Sequence, residues 1–152
     1  MTKRYELIDA GCNFWFNGND QLRSPFPKEI QPELKKNTTE TFMRWVRDFS
    51  VEDRESIEDE ELVSMFEMFL FSEALRMVEN QEDSGDLMIT INYPMLPRVG
   101  DTMTGDGHGE STIVRREISE TEKDEEKHLW ITMHLEENSS RAAWSSRSEL
   151  PT

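Results

Sequence analysis

The stretch HLWITMHLE, residues 128–136, sets Leu129, Ile131, Met133 and Leu135 on one parity and Trp130, Thr132 and His134 on the other. Period-two alternation with one apolar face is the signature of a half-buried strand in an antiparallel sheet. Two further stretches read the same way. Leu87, Ile89, Ile91 and Tyr93 alternate with Met88, Thr90 and Asn92, and 112–118 is a second strand-like run. The polar stretch SETEKDEEK (119–127) between the last two has the composition of an exposed hairpin loop. A three-strand C-terminal meander is therefore predicted over 87–93, 112–118 and 128–136.

Upstream of the meander the period changes to that of a helix. ELVSMFEMFLFSEALRMV (61–78) places Leu62, Phe66, Phe69, Leu70 and Met77 on one side, while Met65, Met68, Phe71 and Leu75 leave little of the circumference polar. A helix apolar nearly all round is buried against several neighbours. It is expected over 59–80 as the dominant central helix, and its Met- and Phe-rich face over 62–78 also suits self-association. A shorter helix is expected over 40–49 with Thr38 or Thr39 as its cap, since Phe42, Trp45, Val46 and Phe49 form one stripe. Ser50 followed by Asp53 resembles a cap for a third helix through Ile57. At the N-terminus Cys12, Phe14 and Phe16 share a parity and run into Asn17-Gly18, a dipeptide suited to hairpin turns. This predicts an N-terminal hairpin returning over 21–24, followed by a connector broken by Pro25, Pro27 and Pro32.

These elements add up to an α+β fold. An antiparallel sheet, made of the N-terminal hairpin and the C-terminal meander, is expected to pack on two or three helices. One domain is expected over 1–137. The Ser-rich segment 138–152, with no periodic pattern around its Trp144, reads as a flexible tail.

Composition narrows the function classes. The 152 residues include 17 basic and 32 acidic ones, for a net charge of -15, beyond the magnitude of about 8 that suffices to keep a small domain soluble. Residues 1–50 carry a net of +1, residues 51–100 of -10 and residues 101–152 of -6. Such a field repels nucleic acid and anionic membrane and attracts basic proteins. The one cysteine, Cys12, has no partner for an internal disulfide, and no charged, apolar-cored leader opens the chain, so a cytoplasmic protein is expected. No run approaches the roughly 20 apolar residues of a membrane span.

The richest chemical stretch is VGDTMTGDGHGESTI (99–113). Asp101, Asp106, His108 and Glu110 offer metal-ligating groups, and His134 joins them if the second and third strands pair closely. The calcium-loop template fails, because Met103 and Asp106 stand where an acid and a glycine are needed. Gly105, Gly107 and Gly109 lack the strand-to-helix setting of a dinucleotide loop, no phosphate-loop Lys-Ser/Thr pair follows, and no nucleophile elbow occurs. The stretch reads chiefly as a glycine-softened connection between strands.

Three acidic runs remain: 55–61, 79–86 and 120–126. Glu55, Glu58, Asp59, Glu60, Glu82, Asp83, Glu122, Asp124 and Glu125 are the candidate surface for a basic partner. The expectation is a non-enzymatic interaction module, of an inhibitor or immunity type, that engages a nucleic-acid-binding protein or nuclease without cofactor. Two alternatives stand beside it. One is a small metal-binding protein or metal-dependent hydrolase using 101–110 and His134; the other is a ligand-binding sheet with a cavity lined by Phe14, Phe16, Tyr93 and Trp130.

Overall fold

The computed structural model describes residues 2–18, 22–105 and 107–151. Five helices come first: α1 (Thr2–Asn17), α2 (Gln31–Arg47), α3 (Val51–Ser56), α4 (Asp59–Val78) and α5 (Ser84–Asn92). Four strands follow: β1 (Thr102–Gly105), β2 (His108–Lys123), β3 (Glu126–Glu137) and β4 (Ala143–Glu149). The class is α+β, as the two hydrophobic periods predict. The elements sort into two compact units, Met1–Met95 and Leu96–Thr152, where the sequence suggests one domain ending at 137.

In the helical unit, α4 buries Leu62, Phe66, Leu70, Ala74 and Val78, a row spaced by four that runs the length of the helix. Its neighbours are α2, α5 and α1, which accounts for a sequence apolar nearly all round. From α2 a matching row of Leu34, Thr38, Phe42 and Val46 is buried. Phe42 and Phe66 meet edge to face with centroids 5.7 Å apart, the geometry their ring quadrupoles favour. Where α1 comes closest to α4, Gly11 stands under Phe66, and a Cβ there would lie 2.7 Å from the ring. Ser50 caps α3 as its spacing predicts, its Oγ accepting from Asp53 N at 3.1 Å.

Three expectations for this unit are corrected. The N-terminal hairpin is instead helix α1, in which Ile8 and Cys12 are buried one turn apart, and Gly18, at φ 71°, follows the last helical residue. Asn17-Gly18 is thus a helix stop, glycine supplying the left-handed residue that ends the helix; the return strand expected from residue 21 begins outside the described residues and is irregular at 22–24. The strand expected over 87–93 belongs to α5, where Ile89, Thr90 and Ile91 are buried in succession, a pattern a one-faced strand cannot produce. Helix α2 begins at Gln31 with proline in its first turn, so Thr38 and Thr39 lie inside it rather than at its start.

The sheet unit is a meander in the order β1-β2-β3-β4, antiparallel throughout. Both strands predicted in its middle are present and longer than expected. The loop read at 119–127 is mostly ladder, closed by a two-residue turn at Asp124-Glu125 with both residues at positive φ. Ile113 and Ile118 have opposite parity, and strict alternation would put them on opposite faces. A bulge between Ile113 and Arg115 inserts one residue, so that Ile113 pairs with Leu135 and Ile118 with Ile131 on one face. The segment read as a flexible tail supplies β4, which pairs with β3 from Ala143–Glu136 to Glu149–Trp130.

Candidate functional site

All nine candidate acidic residues are exposed. In the helical unit they form two poles. Glu55, Glu58, Asp59 and Glu60 surround the start of α4, where carboxylates also favour the positive end of the helix dipole. Glu82 and Asp83 follow its far end, roughly 30 Å away for 20 helical residues, beyond the Debye length of about 8 Å. In the sheet unit Glu122, Asp124 and Glu125 occupy the tip of the β2–β3 hairpin. A single continuous field is therefore not formed within the helical unit. Two separate negative poles are.

The way these carboxylates are left uncompensated is informative. Some acids are matched inside the chain: Asp9 with Lys35 at 2.9 Å, Glu73 with Arg76 and Asn37, Glu117 with both Arg115 and His134, and, within the third run, Glu120 with Lys127 at 3.5 Å. Among the described residues Glu55, Glu58, Glu60, Glu82, Asp83, Glu122, Asp124 and Glu125 have no ion pair. The helical unit as a whole holds 10 basic and 20 acidic residues, a net of -10; the sheet unit holds 7 and 12, a net of -5. Basic character survives locally on α2, where Arg44 and Arg47 line a groove of about 450 Å³ with Tyr5, Thr39, Glu40 and Met43. Nothing in the periodicity of α2 marks that groove.

The proposed metal ligands are not brought together. Asp101 turns its carboxylate back to accept from Arg98 N at 2.8 Å, closing the turn before β1. His108 stacks on Trp144, with centroids 4.3 Å apart and planes 2° from parallel, and its Nδ1 lies 3.4 Å from Glu137. His134 pairs across from Arg115, seven positions along β2 from His108, or roughly 20 Å at 3.3 Å per residue. Glu110 is exposed, and Asp106 lies outside the described residues. No group of three potential ligands forms among the described residues.

The histidines belong instead to pairs on the sheet. Glu117 accepts from His134 Nε2 at 2.9 Å and lies 3.2 Å from Arg115 Nη1, and the hydrogen bond from His134 together with the charge of Arg115 holds its carboxyl below the usual carboxylate range. Arg115 Nη2 lies 3.2 Å from the same His134 nitrogen, so that nitrogen serves Glu117 only when it carries a proton. His128 Nδ1 meets Glu149 at 2.5 Å. Glu137 accepts from the Ser140 hydroxyl at 2.6 Å and from Gly109 N at 3.1 Å, and is likewise held low.

The aromatic cavity expected on the sheet is not built. Phe14 and Phe16 sit on α1, Phe16 packing edge to face on Phe26, and Tyr93 follows α5. Trp130 is engaged within the sheet, its N–H donating to Thr121 Oγ1 at 2.9 Å and the Arg147 guanidinium lying 4.4 Å above its ring. Of the apolar residues over 62–78, only Val63 and Met68 are strongly exposed, which leaves a narrow face for self-association. Cys12 is buried among apolar side chains, which pushes its thiol pKa up to about 11 and keeps it neutral at physiological pH. No helix among the described residues is long and apolar enough to cross a membrane. No known protein family, curated sequence or solved structure matches this chain.

Proposed function

We propose that this chain is a non-enzymatic, cytoplasmic interaction module that engages a basic protein partner through its unpaired carboxylates, acting as an inhibitor or immunity-type protein against a nucleic-acid-binding protein or nuclease. The observation that carries this reading is the clustering of exposed, unpaired acids. Eight carboxylates, gathered at the two ends of α4 and at the β2–β3 hairpin tip, are exposed and without an ion pair among the described residues. Within each cluster the neighbouring like charges cost self-repulsion in the free protein. A cationic surface relieves that repulsion and is steered toward it.

The test uses the full chain as bait in lysate of its native cell, with mass-spectrometric identification of what is retained. A partner rich in Lys and Arg is expected, released as salt rises. Charge reversal at Glu58, Asp59, Glu122 and Asp124 is expected to slow association by about tenfold or more, with dissociation much less affected. Retention of the same proteins by the charge-reversed chain, or capture insensitive to salt, would overturn the reading.

A further inference from the structure

β2 is 16 residues long, yet β1 pairs only with His108–Thr112 at its start. Gly100 and Asp101 extend that pairing by hydrogen bonds to Ile113. From Val114 to Lys123 the side of β2 away from β3 has no strand beside it among the described residues. The hydrogen-bond parity of this edge follows from the hairpin turn. A two-residue turn is closed by a hydrogen-bonded pair, here Lys123 and Glu126, so Lys123, Thr121, Ser119 and Glu117 direct their backbone groups at β3. Ile118, Glu120 and Glu122 direct theirs to the open side, and none of the three makes a backbone bond outside the sheet ladder among the described residues. Glu117 and Ser119–Lys123 are exposed along this length.

An open edge is a template for another strand, and charged side chains ordinarily protect it. Here the charges are ordered so that they protect against some strands and suit one in particular. Laid antiparallel on a second copy about Glu120, the edge sets Glu117 opposite Lys123 twice, Ser119 opposite Thr121 twice, and Arg115 toward Glu125 at the partner's turn. Residues directly opposite share a face, so the charge pairs form on the polar side that already carries Arg115, Glu117 and His134. The one like pair, Glu120 at the axis, has Lys127 at 3.5 Å in each copy to offset it. In this register Ile118, Glu120 and Glu122, the residues with outward backbone groups, meet one another, as a hydrogen-bonded ladder requires.

We propose that two copies of this chain associate by antiparallel pairing of their β2 edges over Glu117–Lys123, joining two four-stranded sheets into one of eight. This association is measured without a basic partner, although Glu122 and Glu125 belong to both surfaces. Sedimentation velocity on the full chain over a concentration series is expected to show a monomer–dimer equilibrium. Lys123→Glu places like charges at both Glu117 positions and is expected to raise the dimer Kd roughly tenfold, and adding Glu117→Lys to it is expected to restore the native value. Glu120→Pro removes an outward N–H without taking a bond from the β2–β3 ladder and is expected to abolish the dimer, with folding checked by circular dichroism. A chain that stays monomeric throughout, a dimer indifferent to Lys123→Glu, or one dissolved by Met68→Glu on α4 but not by Glu120→Pro in a folded protein would overturn the proposal.

Discussion

The indole N–H of Trp144 donates to the hydroxyl of Ser111 at 2.9 Å, tying β4 across β3 to a fully buried side chain of β2. Ser111 in turn donates to Gly109 O at 2.9 Å, while the other side of the indole is covered by the ring of His108. Gly105 lies under the same indole, and a Cβ there would approach within 2.6 Å. Trp144→Phe keeps one aromatic ring but removes the donor and part of the packing, which is expected to cost at least about 1 kcal/mol. Trp144→Ala also removes the packing on His108 and Gly105 and is expected to cost about 3 kcal/mol. Urea unfolding of both variants measures the two steps. An alanine variant as stable as the native chain would show that β4 is held by its backbone alone.

Thr38 presents the opposite case, a polar group buried without a partner. It lies in the row of α2 that faces α4, is fully buried, and its Oγ1 has no hydrogen bond among the described residues. Thr39, its neighbour, bonds Lys35 O at 2.7 Å instead. Val fills the same volume without the hydroxyl, so the desolvation cost of roughly 1–3 kcal/mol that Thr38 carries is relieved on substitution. Thr38→Val is expected to raise the stability of the helical unit by about 1 kcal/mol, read as an upward shift in its melting temperature. Destabilisation would mean that the hydroxyl is satisfied in solution.

These two residues also mark what the sequence could and could not convey. The α4 row and the β3 alternation are written in bulky side chains at fixed spacing, and both elements form where the pattern puts them. Strand β4 has only Trp144 to mark it, because Ser145, Ser146 and Ser148 carry no hydrophobic period; the β3 edge recruits it through main-chain bonds. In α1 the same residues satisfy two periods. Cys12, Phe14 and Phe16 alternate, but Ile8 and Cys12 are the pair that is buried, and Asn17-Gly18 serves a helix end as well as a hairpin. Helix α5 overrides the strand preference of its β-branched residues by packing against α4. Of the candidate site, the exposure of the acidic runs was legible in composition. Their separation along α4, and the loss of His134 from the 101–110 stretch, depended on register and helix length, which no local pattern states.

The hairpin tip holds removable strain. Asp124 and Glu125 sit at φ 54° and 66°, the left-handed region in which a Cβ costs roughly 1–2 kcal/mol. Asp tolerates this position through local hydrogen bonding, whereas Glu125 has no such recourse and glycine fits without penalty. Glu125→Gly is expected to stabilise the sheet unit by about 1 kcal/mol while removing one candidate partner-binding charge. Thermal unfolding together with partner capture would separate the two effects. A tip built for stability alone would carry glycine already, so higher stability combined with weaker capture is the expected outcome.

Glu137 joins the start of β2 to the β3–β4 turn, and its charge is what the surrounding donors recognise. The Ser140 hydroxyl and the Gly109 N–H both donate to it, with His108 beyond, and together they hold its carboxyl below the ordinary value. A carboxyl whose folded value is depressed contributes stability above its unfolded pKa, about 4.3, and loses it as pH falls through the folded value. Glu117, held low by His134 and Arg115, and Glu73, held low by Arg76 and Asn37, act in the same direction. The native chain is therefore expected to lose stability on the acid side as these carboxylates take up protons. Glu137→Gln keeps an acceptor for Gly109 but has no charge to lose, so the variant is expected to be less stable at neutral pH and to show a shallower acid decline. Urea unfolding across a pH series, followed by the fluorescence of the four tryptophans, measures that slope; equal slopes in the two proteins would mean that the donors around Glu137 do not distinguish its charged form.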